Sequence, residues 1–415
     1  MSPAPTRRHA RLPLLATSFA LALVGAACAQ SVPRPPADGM QPQTITAETG
    51  RVVTVWRADD ARRRAAGWHP GRLDAAFRQA AGLSTDTLIV ATAGEFVGVL
   101  GDPARKYRVH SVRKALLSAL IGRHAGTGEG RIDLQARLID LGIDDRPVAL
   151  TSLQRTATVE HLLRSRSGIN HPAASEGGLF NEKIQRLGLG ENQPGSIWAY
   201  NNWDYNALTT IFEQRTGLPV AEAFAASLAR PLGMRDFETS DVSYGHEPKR
   251  SEHRAAHFRM SGRDLRRVGE LYLSDGRIDG QDLLSPDWIA RITRQVSRTG
   301  KPGLRWGHGD LWWLPDPDSG LPPGSFWGAG LGRQALFVIP AWDTVIVHQS
   351  DTSEVLKRLR PVMRREGGDV EGALITLIRS CLQPGNRHSD FCREHGFIPG
   401  RAFDDLIRAI AAARL

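Results

Sequence analysis

Lysine is scarce in this 415-residue chain: Lys and Arg together number 53, yet the lysines are only Lys106, Lys114, Lys183, Lys249, Lys301 and Lys357. The positive balance is therefore an arginine balance, and each lysine merits inspection for a specific role. Cysteine is scarcer still, at 3 residues, which excludes a disulfide-dense scaffold and the paired spacings of structural zinc sites. No apolar run reaches the ~20 residues of a membrane-spanning helix, so an integral membrane protein is not expected. Blocks of like charge and aromatic–basic stripes are missing too, and a formal charge of +9 is modest, so nucleic acid is not an expected partner.

Several hydrolase and cofactor signatures are also lacking. There is no G-x-S-x-G, which excludes a nucleophile elbow. His253 and His257 are four apart, but Arg254 stands where the metalloprotease pattern needs its glutamate. Gly328, Gly330 and Gly332 alternate, yet they precede a strand-like run rather than a helix, unlike a dinucleotide-binding turn. Neither a metal nor a cofactor is expected.

What is present begins with a leader. Arg7, Arg8 and Arg11 precede an apolar stretch from Leu12 to Ala27, and Ala27-Cys28-Ala29 has the small-x-small form of a signal peptidase site, so residues 1–29 read as a signal peptide. The mature chain then starts at Gln30 in the periplasm or outside the cell, with its formal charge lowered by three arginines to +6. Cys28 also permits lipidation, but Gly25 stands three residues before it instead of a Leu-like side chain. Arg7-Arg8 is a weak hint of twin-arginine export. Cys381 and Cys392 remain after cleavage, either as a disulfide or as two free thiols.

Residues 30–50, rich in Pro, Gln and Thr, read as a flexible lead-in to a folded domain over 51–352. Thr87–Thr92 and Phe96–Leu100 form two strands around Gly94. From Ser111, apolar Val112, Ala115, Leu116, Ala119 and Leu120 follow helical spacing. About 130–290 reads as mostly helical, and strands return at Leu311–Leu314, Ala335–Ile339 and Thr344–Val347. The simplest architecture is a sheet assembled from both chain ends with a helical domain inserted, followed by a helical extension over 353–415.

Chemistry concentrates at Ser111-Val112-Arg113-Lys114. Three residues apart on a helix places the hydroxyl and the amine on one face. A serine hydroxyl needs an adjacent base, and a lysine supplies one when burial disfavours its ammonium form. The plain alternative is a capping serine with a solvated lysine one turn on. Pro194–Asn202 adds Tyr200, whose phenol can pass a proton to a leaving group, and Asn202, whose amide can hydrogen-bond a substrate carbonyl. Trp198 and Tyr205 read as aromatic core.

Ser-x-x-Lys, then Tyr-x-Asn, then a Gly-rich segment entering a strand resembles the penicillin-recognising serine hydrolases related to class C β-lactamases, and most of all the 6-aminohexanoate-dimer hydrolase branch. The strings SVRKALLSALIG at 111–122, TVEHLLRSRSGINHPAA at 158–174, PGSIWAYNNWDYNALTTIFEQRTG at 194–217, RPLGM at 230–234 and FWGAGLGRQALFVIP at 326–340 carry the likeness. It covers most of residues 85–350. The resemblance implies an α/β (α+β) fold of the β-lactamase/transpeptidase type, with an antiparallel sheet. It implies a serine hydrolase of a small-molecule amide or ester that works through an acyl-enzyme. Ser111 would be the nucleophile, Lys114 its base and Tyr200 the acid/base partner, with the Ser111 and Leu331 N–H groups as oxyanion hole. Asn202, His171, Trp327 and Gly330 would bind substrate.

The family's Lys- or His-Thr-Gly element is here Gly328-Ala329-Gly330, without the cation and hydroxyl that hold a substrate carboxylate; Arg333 is the residue that could replace the cation. A β-lactamase or cell-wall D,D-peptidase is the alternative enzyme, and a non-catalytic binding module of the same fold the alternative class. The pattern carries no information on oligomeric state.

Overall fold

The computed structural model describes residues 36–47, 50–176, 179–294, 296–353, 398 and 400–415; the leader, Cys381 and Cys392 lie outside the described residues. A ten-stranded antiparallel sheet forms the backbone of the fold. Its strands are β1 (Gln41–Thr46), β2 (Val52–Arg57), β3 (Thr87–Thr92), β4 (Glu95–Gly101), β10 (Ser297–Arg298), β11 (Gly307–Gly309), β12 (Trp312–Leu314), β13 (Phe326–Ala329), β14 (Ala335–Ile339) and β15 (Thr344–Gln349). The order β1-β2-β4-β3-β15-β14-β13-β12-β11-β10 joins the two chain ends where β3 pairs with β15 along its whole length. This is the expected sheet from both termini, and its central strands β3, β14 and β15 are buried on both faces.

Among the described residues there are ten α-helices. They are α1 (Asp60–Ala65), α2 (Pro70–Gly82), α3 (Arg113–His124), α4 (Val159–Leu163), α5 (Leu179–Leu187), α6 (Asn202–Thr216), α7 (Val220–Phe224), α8 (Gly262–Leu273), α9 (Pro286–Arg294) and α10 (Gly400–Ala411). Of these, α2, α3, α8, α9 and α10 pack on the main sheet. On one face α8 lies against the central strands, bringing Gly269 onto Val345 and Leu336, and α3 brings Val112 and Ala115 against Gly328. On the other face lie α2, whose Phe77 abuts Gly98, and α10, whose Phe403 meets Trp327 and Phe337. In α10 the buried side chains Phe403, Leu406, Ile407 and Ile410 repeat at helical spacing, so one stripe faces the sheet.

One expectation changes and two gain detail. Residues 41–46 belong to the sheet: they pair with β2 over six positions, so the lead-in is not flexible there. Only Ile45 of this edge strand is buried, and so its sequence carries no apolar alternation to betray it. Within 130–290, β6 (Val242–Gly245) and β7 (Ala255–Ser261) form a small sheet with β5 (Lys106–Arg108), and β8 (Arg277–Ile278) pairs with β9 (Gln281–Asp282). The described end of the extension, α10, is a helix, as expected, and it covers the main sheet.

Candidate active site

Ser111 sits in a 3-10 turn, His110–Val112, that runs directly into α3. The turn is fixed at both ends. Val109 N–H donates to the Phe258 carbonyl of β7 at 3.0 Å, and the His110 Nε2 lies 2.7 Å from Thr352 Oγ1. His110 holds φ 47°, a left-handed conformation that a side chain with a Cβ adopts only when its surroundings impose it.

One turn on, Lys114 Nζ donates to Ser111 Oγ at 2.8 Å. The lysine is 3% exposed. Its Nζ lies 4.8 Å from the centre of the Tyr200 ring and 4.7 Å from that of Tyr205. Tyr205 hydroxyl bonds Ser165 Oγ at 2.5 Å, and burial, then the neighbouring Tyr200, drive its pKa well above the ordinary phenol value, so it stays neutral. Tyr200 stands just before the N-cap of α6, where Asn201 Oδ1 accepts from Trp203 N–H at 3.1 Å. A stacked Trp313, with ring centres 5.3 Å apart, backs Tyr200. Ser111, Lys114 and Tyr200 are thus brought to one place.

Gly330, the first loop residue after β13, lies beside the nucleophile turn. A Cβ on Gly330 would fall 2.5 Å from the Val109 carbonyl oxygen and 3.3 Å from His110 Cβ, so only glycine permits this approach. Asn202 is 3% exposed and its Oδ1 accepts no hydrogen bond.

Other expected pocket residues have partners of their own. Trp327 packs on the opposite face of the sheet from Ser111. Its ring stacks on Phe337 at 4.8 Å, and its Nε1 donates to the Leu304 carbonyl at 2.6 Å, whereas the next residue, Gly328, faces α3. Side chains alternate along a strand, so Trp327 and Gly328 cannot both face the nucleophile. His171 Nδ1 lies 3.0 Å from Asp145 Oδ2, a carboxylate that also accepts from Trp203 Nε1 at 2.7 Å and Ser251 Oγ at 2.8 Å. The Nδ1 side of the histidine is therefore held in a buried network that includes Trp203 of α6. Arg333 Nε donates to the Ile398 carbonyl at 2.9 Å, pointing toward the C-terminal segment.

Sequence reasoning missed the aromatic wall around Tyr200. His308 of β11 lies 6.2 Å from Tyr200 and 5.1 Å from Trp313, ring centre to centre, with Trp198 at 5.7 Å. Burial, and then the charge of Lys114, press its pKa down to about 3. The only signal was the aromatic-rich stretch Trp306–Trp313, which reads as strand without saying what it faces.

A family profile described as Beta-lactamase matches residues 58–360. The chain belongs to the beta-lactamase family. Among curated proteins, Esterase EstB of Burkholderia gladioli is 29% identical in an alignment of 199 residues that covers 40% of this chain and 50% of that one. The chain thus spans about half the length of that relative in the matched region. Among solved structures, the octameric penicillin-binding protein homologue from Pyrococcus abyssi shares 15% identity at a TM-score of 0.50, covering 73% of this chain and 78% of its own. SurE with D-Leu shares 18% identity at a TM-score of 0.50, covering 77% and 76%. These likenesses establish the beta-lactamase/transpeptidase fold. Among the described residues of this beta-lactamase-family chain no helix is long and apolar enough to cross a membrane.

Proposed function

We propose that the protein is an exported serine hydrolase that cleaves an uncharged ester or linear amide through an acyl-enzyme. The observation that carries the reading is the 2.8 Å contact from Lys114 Nζ to Ser111 Oγ, with the lysine buried against the Tyr200 and Tyr205 rings. In this reading Lys114 takes the hydroxyl proton as Ser111 Oγ attacks the substrate carbonyl. The N–H groups of Ser111 and Leu331 receive the oxyanion, Tyr200 passes a proton to the leaving group, and water then releases the acid. Asn202, with its unengaged Oδ1, binds a polar group of the substrate.

The preference for uncharged substrates is supported by what stands at Gly328 and Arg333. A Cβ on Gly328 would lie 3.3 Å from Ala115 Cβ and Val112 Cγ1, and Arg333 is directed at Ile398, so neither position offers a cation to a substrate carboxylate. A hydrogen bond to a charged group is worth about 1.5–3 kcal/mol, and its loss corresponds to roughly 10- to 150-fold in affinity.

Kinetics with p-nitrophenyl esters, short linear amides, benzylpenicillin and nitrocefin test the reading, together with fluorophosphonate labelling. Short esters or amides are expected to give a far higher kcat/KM than either β-lactam, and Ser111→Ala to lose both turnover and label with its fold intact. Efficient nitrocefin turnover moves the β-lactamase or D,D-peptidase alternative into first place, and a labelled Ser111→Ala removes the nucleophile assignment. Export predicts that the protein recovered from the periplasm or medium starts at Gln30.

A further inference from the structure

We propose that the C-terminal segment completes the catalytic apparatus: Arg333 is a positioning residue that tethers the loop carrying Leu331 to Ile398 and the start of α10. The inference rests on the reading of Leu331 N–H as an oxyanion donor and gives a role to a region outside the family match, which ends at residue 360.

The loop between β13 and β14 is only five residues long and includes two consecutive left-handed residues, Gly332 at φ 72° and Arg333 at φ 62°. Glycine adopts that conformation freely; arginine does so only when something holds it. The holding contacts are on both sides. The Arg333 carbonyl accepts from His348 Nδ1 at 2.8 Å. Because a carbonyl only accepts, the proton of His348 is on Nδ1, and its Nε2 accepts from Thr85 Oγ1 at 2.9 Å. Ser350 Oγ donates to the Gly332 carbonyl, and Gln334 Nε2 donates to the Ser350 carbonyl at 2.6 Å. These bonds come from the sheet.

The remaining anchor comes from the far end of the chain. Arg333 Nε donates to the Ile398 carbonyl at 2.9 Å, and its Nη2 comes within 3.1 Å of the place a Gly400 Cβ would occupy. Burial, and then the charge of Arg305, act against the guanidinium's charge, with the Asp404 carboxylate offsetting them in part, so the hydrogen bond to Ile398 is the anchor. The segment that offers these groups is itself fixed. Phe403 packs on His348 and Phe337, and beyond α10 the Ala413 carbonyl accepts from His69 N–H at 2.8 Å. The end of the chain is thereby tied to the N-terminal helices, and Arg333 passes that fixity to the loop two residues from Leu331.

Arg333→Gly is the discriminating variant, since glycine keeps the left-handed backbone and removes the tether. With a p-nitrophenyl ester, kcat is expected to fall about tenfold or more with KM changed by less than about twofold. This is the pattern of a transition-state donor moved out of line. The rate of fluorophosphonate acylation is expected to fall by the same factor, and Arg333→Lys to recover part of it. Wild-type kcat in Arg333→Gly overturns the proposal, as does a change confined to a higher KM for carboxylate-bearing substrates, which would place the guanidinium on substrate. If the wild type itself is not labelled at Ser111, the serine-hydrolase reading fails and the tether with it. Should Arg333→Gly not give a cooperative melt, Arg333→Asn also tolerates the left-handed backbone and is too short to reach Ile398. A kcat drop of about threefold then supports the tether, and an unchanged kcat rejects it.

Discussion

At the residue scale the site depends on which protons can move. Arginine keeps the charge of Lys114 but does not release its proton, so Lys114→Arg separates a base from a cation. Its kcat is expected to fall to within about tenfold of the Ser111→Ala background in steady-state ester hydrolysis; substantial turnover would make the lysine electrostatic only. His308 offers a second test through pH. Its folded pKa of about 3 lies below the ordinary 6.5, so between those values the unfolded chain binds a proton that the folded chain refuses. Its stabilisation is therefore complete above about pH 6.5 and is lost as pH falls toward 3, at up to about 1.4 kcal/mol per pH unit for one proton. His308→Phe is expected to flatten the fall of unfolding free energy between pH 6.5 and 4.5 by up to that slope, read from urea titrations. An unchanged slope would mean that the imidazole is already charged in the fold.

Among the elements, the contact between the end of β13 and the turn ahead of α3 is the most constrained. No Cβ fits at Gly330 while the Val109 carbonyl oxygen stays where it is, since the two would stand 2.5 Å apart. Gly330→Ala must therefore separate the strand end from the nucleophile turn. Overpacking of this kind destabilises by about 1–3 kcal/mol. The loss of an aligned oxyanion donor lowers kcat by up to about 10²–10³-fold. We expect kcat in Gly330→Ala to fall at least about tenfold while circular dichroism and the melt report a folded protein. Activity near wild type would show that the two elements need not touch.

For the whole molecule, the described C-terminal helix α10 and helix α2 cover the same face of the sheet. Phe403 is 1% exposed and lies against Trp327, Phe337 and His348. Phe403→Ala leaves a cavity between α10 and the sheet and is expected to cost about 3–5 kcal/mol in denaturant unfolding. A cost below about 1 kcal/mol would mean that α10 contributes little to the fold.

The sequence by itself determined what depends on neighbours in the chain. A helix brings residues three apart to one face, so Ser111 and Lys114 were legible as a pair, and the β-rich runs at both ends were legible as one sheet. Tertiary structure decided the rest. Which face of β13 a side chain takes is fixed by alternation, but which face meets α3 is not written locally, and so the substrate contact that the resemblance implies for Trp327 gives way to packing on Phe337. Strand β1 escaped notice because an edge strand with a single buried residue has no pattern to read. The wall of Trp198, His308 and Trp313 around Tyr200, and the grip of Ile398 on Arg333, join segments tens of residues apart or more, and contacts at that range leave no periodic mark in the sequence.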